Sequence, residues 1–134
     1  MIKANELRIG NYLQGDPLDI PKIQIFHNGI TKITGFGISA IESGSITSLN
    51  PIPLTPEILE KCGFVCENAN EDDRYYHLRL KNEKYCDLSL VIGDKNGICE
   101  VTLFPYEDYF RYQYLHQIQN LYFALLGEEL IINL

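Results

Sequence analysis

The chain has 134 residues, 46% of them hydrophobic and 22% charged, a balance that supports a globular core and argues against a disordered tract or a fibrous repeat. The length suits one domain, and no apolar run approaches the ~20 residues that a membrane-crossing helix needs. Eighteen acidic against eleven basic residues give a formal charge of −7, so the averaged field repels phosphate backbones and anionic lipid and argues against nucleic acid and membranes as partners.

The opening residues Met1–Glu6 include an acid and lack the apolar stretch and small-residue cleavage site of a secretory signal, so a cytoplasmic location is expected. In that compartment Cys62, Cys66, Cys86 and Cys99 are expected to be reduced thiols.

The first fifty residues read as β-rich. Leu7 to Leu13 alternates around a Gly10-Asn11 pair suited to a turn or bulge, and Lys22 to Thr34 reads as a hairpin turning at Asn28-Gly29. Two further β-like pieces follow at Ile38 to Ile41 and Ile46 to Leu49. Thr55-Pro56-Glu57 then has the residue types of a helix start, Gly63 those of its stop, and Leu54 and Leu59 the spacing of a hydrophobic staple. Asn68 to Asp73 reads as a polar loop. Tyr75–Lys81, Tyr85–Ile92 and Ile98–Phe104 predict a three-stranded antiparallel meander, with Tyr76, Leu78 and Leu80 on one face beside Leu88, Leu90 and Ile92. Leu115, Ile118, Leu121, Tyr122 and Leu125 recur at helical spacing before Gly127, which predicts a C-terminal helix packed on that meander, and Leu130 to Leu134 reads as a last short strand. The fold class is therefore α+β in a single domain over residues 1–134. An N-terminal small bent β-sheet or partly open barrel (1–50) is followed by a short helix, then an antiparallel β-meander packed by the C-terminal helix (51–134).

Three segments carry a family likeness: Ala4 to Asn11; Pro51 to Thr55 with Gly63-Phe64; and Leu115 to Leu125. Together they resemble a family of small uncharacterised proteins from anaerobic gut bacteria and their phages. The resemblance spans most of the chain and implies a shared architecture, often encoded near phage or mobile-element genes. It implies no established activity and no functional residue.

The chemistry-bearing residues do not assemble into a known motif. Cys62 and Cys66 with His77, Cys86 and Cys99 have zinc-ligand types but dispersed spacing, so packed thiols outweigh a metal site, and no cofactor is expected. At the C-terminal end of its helix, Cys62 is a poor nucleophile. No nucleophile elbow, zinc-protease helix or phosphate loop occurs, and His27, His77 and His116 fall in separate elements. His116, Gln119 and Asn120 line one polar strip of the last helix, which reads first as a solvated face, with a hydrogen bond to the neighbouring sheet as a variant. Paired acids at Glu71–Asp73 and at Glu107 and Asp108 read as solvated charge.

Aromatic residues stand out. Phe104, Tyr106, Tyr109, Phe110, Tyr112, Tyr114, Tyr122 and Phe123 place eight of the fifteen aromatics in twenty residues. Core packing and a protein interface account for this about equally. The leading expectation is a non-enzymatic interaction or accessory protein that contacts a protein partner or itself through Tyr106, Tyr109, Phe110, Tyr112 and Tyr114. The alternative is a small-ligand-binding protein or enzyme whose site forms only in three dimensions, from His116 with Glu107 or Asp108.

Overall fold

A computed structural model describes residues 2–15, 24–25, 29–45, 49–70, 73–79, 89–95, 98–104 and 108–133. The fold is mixed α+β, with two antiparallel sheets and three α-helices, one of them C-terminal.

The N-terminal lobe starts with a 3-10 helix at Ala4–Glu6 and a turn through Ile9 and Gly10. Strand β1 (Tyr12–Gln14) follows, so the alternation read from Leu7 to Leu13 becomes a true strand only at its end. Gly10 sits at φ +98°, a conformation that L side chains rarely adopt, and this is where the chain turns into β1. Strands β2 (Gln24–Ile25) and β3 (Ile30–Lys32) pair antiparallel as the hairpin reading requires, and β4 is Asn50–Pro51. The sheet order is β2-β3-β1-β4, an open sheet and not a closed barrel. Helix α1 (Gly35–Glu42) occupies the stretch read as β from Ile38 to Ile41. Ile38 and Ile41 are also one helical turn apart, and the Thr34 hydroxyl accepts from Gly37 N–H at 3.2 Å, so a cap decides what the apolar spacing left open. Of the strand read from Ile46 to Leu49, residues 46–48 lie outside the described residues and Leu49 is buried but not in a strand.

The helix start at Thr55 holds as read. The Thr55 hydroxyl accepts from Ile58 N–H at 3.2 Å, Pro56 opens α2 (Pro56–Lys61), and Gly63 stops it at φ +92°. Leu59 is buried, and Leu54 packs against the same core, as a hydrophobic staple would. The second sheet has five strands where three were expected: β5 (Val65–Asn70), β6 (Asp73–Arg79), β7 (Ser89–Lys95), β8 (Ile98–Phe104) and β9 (Asp108–Arg111), in that order. The polar segment read as a loop from Asn68 to Asp73 is largely strand, with Asn70 paired to Asp73. Ladder hydrogen bonds come from the backbone, so polar side chains do not prevent them. The register pairs Tyr76 with Ile92 and Leu78 with Leu90, which confirms the shared face; Leu80 and Leu88 lie outside the described residues.

Helix α3 (Leu115–Leu126) ends at Gly127, which takes the left-handed conformation at φ +70°. Its Leu115 and Ile118 are fully buried with Tyr76, Ile92 and Val101 of the second sheet and with Leu59 and Phe64, so the helix covers that sheet. The segment after it does not form the strand read at Leu130 to Leu134. Leu130 is buried, Ile131 is exposed, and Asn133 N–H donates to the Lys61 carbonyl at 2.9 Å. That single bond ties the C-terminus to the end of α2 without building a ladder.

A second core, Ile2, Leu13, Ile33 and Leu49 with Ile38 and Ile41 against it, fills the N-terminal lobe.

Candidate functional site

The polar strip of α3 is buried, which corrects its reading as a solvated face. His116 and Gln119 are each only 1% exposed. The reason lies in the N-terminal sheet. β3 satisfies one side of the chain entering β1, where Gly10 N–H donates to the Ile33 carbonyl and Ile33 N–H to the Asn11 carbonyl. On the other side β4 has two residues, paired to Leu13 and Gln14, so it does not reach Gly10 to Tyr12. The Gln119 carboxamide takes the place of the missing strand. Tyr12 N–H donates to Gln119 Oε1 at 2.9 Å, and Gln119 Nε2 donates to the Gly10 carbonyl at 3.1 Å. An amide side chain carries one acceptor and one donor group, as a peptide unit does, and so can close a bare strand edge.

Asn11 and Asn120 continue the seam. Asn11 is fully buried, accepts from Arg8 N–H at 2.7 Å and donates through Nδ2 to Asn120 Oδ1 at 2.8 Å, while Asn120 Nδ2 reaches the Glu6 carbonyl at 3.0 Å. At its outer end the Arg8 guanidinium makes a two-pronged pair with the Glu129 carboxylate and lies 4.1 Å from the centre of the Phe123 ring. The Arg8 hydrogen bond holds the Glu129 carboxyl below the usual carboxylate range. At the inner end, neither ring nitrogen of His116 has a hydrogen-bond partner among the described residues, and Nε2 stands 3.9 Å from Glu6 Oε2.

The seam therefore joins the lobes, and the Asn11, Gln119 and Asn120 amides are paired within it, while the His116 ring is not. Of the expected ligand set of His116 with Glu107 or Asp108, Glu107 lies outside the described residues, and Asp108, in β9, pairs through its backbone with Leu103. The aromatic segment divides. Tyr106 lies outside the described residues. Tyr109 is opposite Thr102 and Phe110 opposite Val101 in the β8–β9 register. Tyr112 is half-buried against the main core. Tyr114 precedes α3, bridges to Pro53, and has its backbone N–H bound by the Gln117 side chain at 3.1 Å. Among these aromatics, Tyr112 and Tyr114 thus have structural work. Cys62 is buried, and that burial pushes its thiol up to about 12, which removes it as a nucleophile near neutral pH. Among the described residues no cluster of three or more His, Cys, Asp or Glu is placed to hold a metal ion, and no helix is long and apolar enough to cross a membrane.

Two surface features remain. One is an open groove of about 550 Å³ between the 3-10 helix and α1, lined by Ile2, Ala4, Ile38 and Ile41 with Lys3 and Glu42. The other is an apolar patch at the outer end of the seam. Ile9 is 62% exposed, Phe36 56% and Phe123 37%. Arg8 covers Phe123, Ile9 follows Arg8, and Gly35 at the start of α1 lies so close to Ile9 that a Cβ there would be 3.4 Å from Ile9 Cδ1. The patch was not legible in sequence because its three residues come from a turn, a helix start and a helix end. Comparison of the chain with protein-family models, with curated proteins and with solved structures finds no match.

Proposed function

We propose that the protein is a non-enzymatic interaction or accessory protein that docks a protein partner through the patch of Ile9, Phe36 and Phe123 around Arg8. The observation that carries this reading is the exposure of those side chains on adjoining segments, with Arg8 over Phe123 and Ile9 against Gly35, which precedes Phe36. Scattered exposed apolar residues are ordinary, whereas a patch that combines aromatic rings with a guanidinium has the composition of an interface centre. The Arg8 charge is already matched by Glu129, so covering the patch does not strand an unpaired ion. The family resemblance extends the proposal to a cytoplasmic accessory role associated with a phage or mobile element. A small-ligand role draws instead on the groove beside α1, whose volume is in the range of small-molecule sites.

The double variant Ile9→Ser/Phe36→Ser tests the interaction reading, since both side chains are largely exposed and their loss should change stability by no more than about 0.5 kcal/mol each. Gel filtration of nuclease-treated host extract is expected to show the unmodified protein in a species larger than the monomer and the variant at the monomer position. An unmodified protein that elutes as a monomer, or a variant that stays in the larger species, would overturn the proposal. A larger species from the purified protein alone would identify the partner as a second copy.

A further inference from the structure

We propose that His116 is an acid-sensitive latch: protonation of its imidazole inside the seam loosens the contact between the N-terminal lobe and α3. Three features of the geometry oppose a positive charge there. The side chain is 1% exposed, so the imidazolium would lose its hydration. His116 is the second residue of the twelve-residue α3, where the unsatisfied backbone N–H groups and the helix dipole present positive charge. Neither ring nitrogen has an acceptor within hydrogen-bond distance among the described residues.

Glu6 is the charged group facing the imidazole from the 3-10 helix. It stands 3.9 Å away with its side chain half exposed, too far and too hydrated to offset the burial. The Tyr114 ring stacks on the imidazole at 6.0 Å, and Arg8, the next charged residue of the N-terminal segment, is turned to Glu129 and Phe123. Burial accordingly moves the His116 pKa below its ordinary value, with Glu6 acting in the opposite direction. The sign follows from linkage. An open or unfolded His116 takes up a proton below about pH 6.5 while the closed seam does not, so acid favours opening until the folded pKa is passed.

Opening would separate Ile9 and Phe36, on one lobe, from Phe123 on α3. That consequence rests on the interaction reading; the acid response of the seam does not.

Two measurements test the latch. The first is an NMR titration of the unmodified protein, with the His116 imidazole assigned by elimination using His27→Gln and His77→Gln. The His116 midpoint is expected below that of an ordinary histidine, and lower still in Glu6→Gln. A midpoint at or above the ordinary value would overturn the proposal. The second is amide exchange at Tyr12, whose N–H is held by Gln119, referenced to Ile92 in β7 and corrected for intrinsic rates. Protection at Tyr12 is expected to fall by up to about tenfold per pH unit below pH 6.5. It should do so far less in His116→Gln. Equal pH dependence in the two proteins would overturn the proposal, and the titration decides the case if His116→Gln does not fold. Neither readout depends on a partner.

Discussion

Gln119→Leu is expected to lower the unfolding free energy by about 2–5 kcal/mol, because the substitution keeps the bulk and removes the carboxamide that accepts from the Tyr12 N–H and donates to the Gly10 carbonyl on that edge of β1. Each backbone group left buried without a partner costs about 1–3 kcal/mol, and a domain of this size has only about 5–15 kcal/mol in total. Urea denaturation at pH 7.5 measures this as a fall in midpoint at unchanged slope. A loss under about 0.5 kcal/mol would mean that water reaches the edge and that the carboxamide is not the substitute strand described above. A changed slope would report that the lobes no longer unfold together.

Ile118→Ala is expected to cost a similar amount, about 2–5 kcal/mol, for a different physical reason. Ile118 is fully buried where α3 meets Tyr76, Ile92 and Val101, and close-packed surroundings collapse only partly around a deleted side chain. The two variants probe the two sides of one helix. Leu115 and Ile118 face the five-stranded sheet, while His116, Gln119 and Asn120 face the N-terminal lobe. Denaturation of Ile118→Ala should lower the transitions of both lobes, because α3 is shared; a normal midpoint would contradict its place at the centre of the core.

Much of this architecture can be read from residues. The Thr55-Pro56 start and Gly63 stop define α2, the stripe from Leu115 to Leu125 with Gly127 defines α3, and alternation in β6 and β7 gives the shared face of Tyr76 and Ile92. In each case a local rule suffices. Helix α1 was not legible because Ile38 to Ile41 is short and rich in β-branched residues, and the Thr34 cap that selects the helix involves a glycine amide with no side-chain signature. The extra strand pairing at the start of the second sheet was not legible because Asn68, Ala69, Asn70 and Asp73 pair through their backbones.

The buried strip was missed for a longer-range reason. What covers it is a strand edge more than a hundred residues earlier in the chain. One local signal did exist: the twelve residues of α3 contain no Lys, Arg, Asp or Glu, whereas a helix with a solvated face ordinarily carries charge there. A charge-free polar strip points to burial, and amide side chains are suited to it because they pair with backbone without the cost of desolvating an ion.

The working surface we propose is the patch at the end of the seam and not the polar strip within it. The most direct measurement replaces Phe36 with a photo-crosslinking phenylalanine derivative in the native host, with the same replacement at the exposed Ile131 as control. A discrete protein adduct is predicted from position 36, absent from position 131 and lost when Ile9→Ser is added. Adducts of equal yield at both positions, or none from position 36, would contradict the claim.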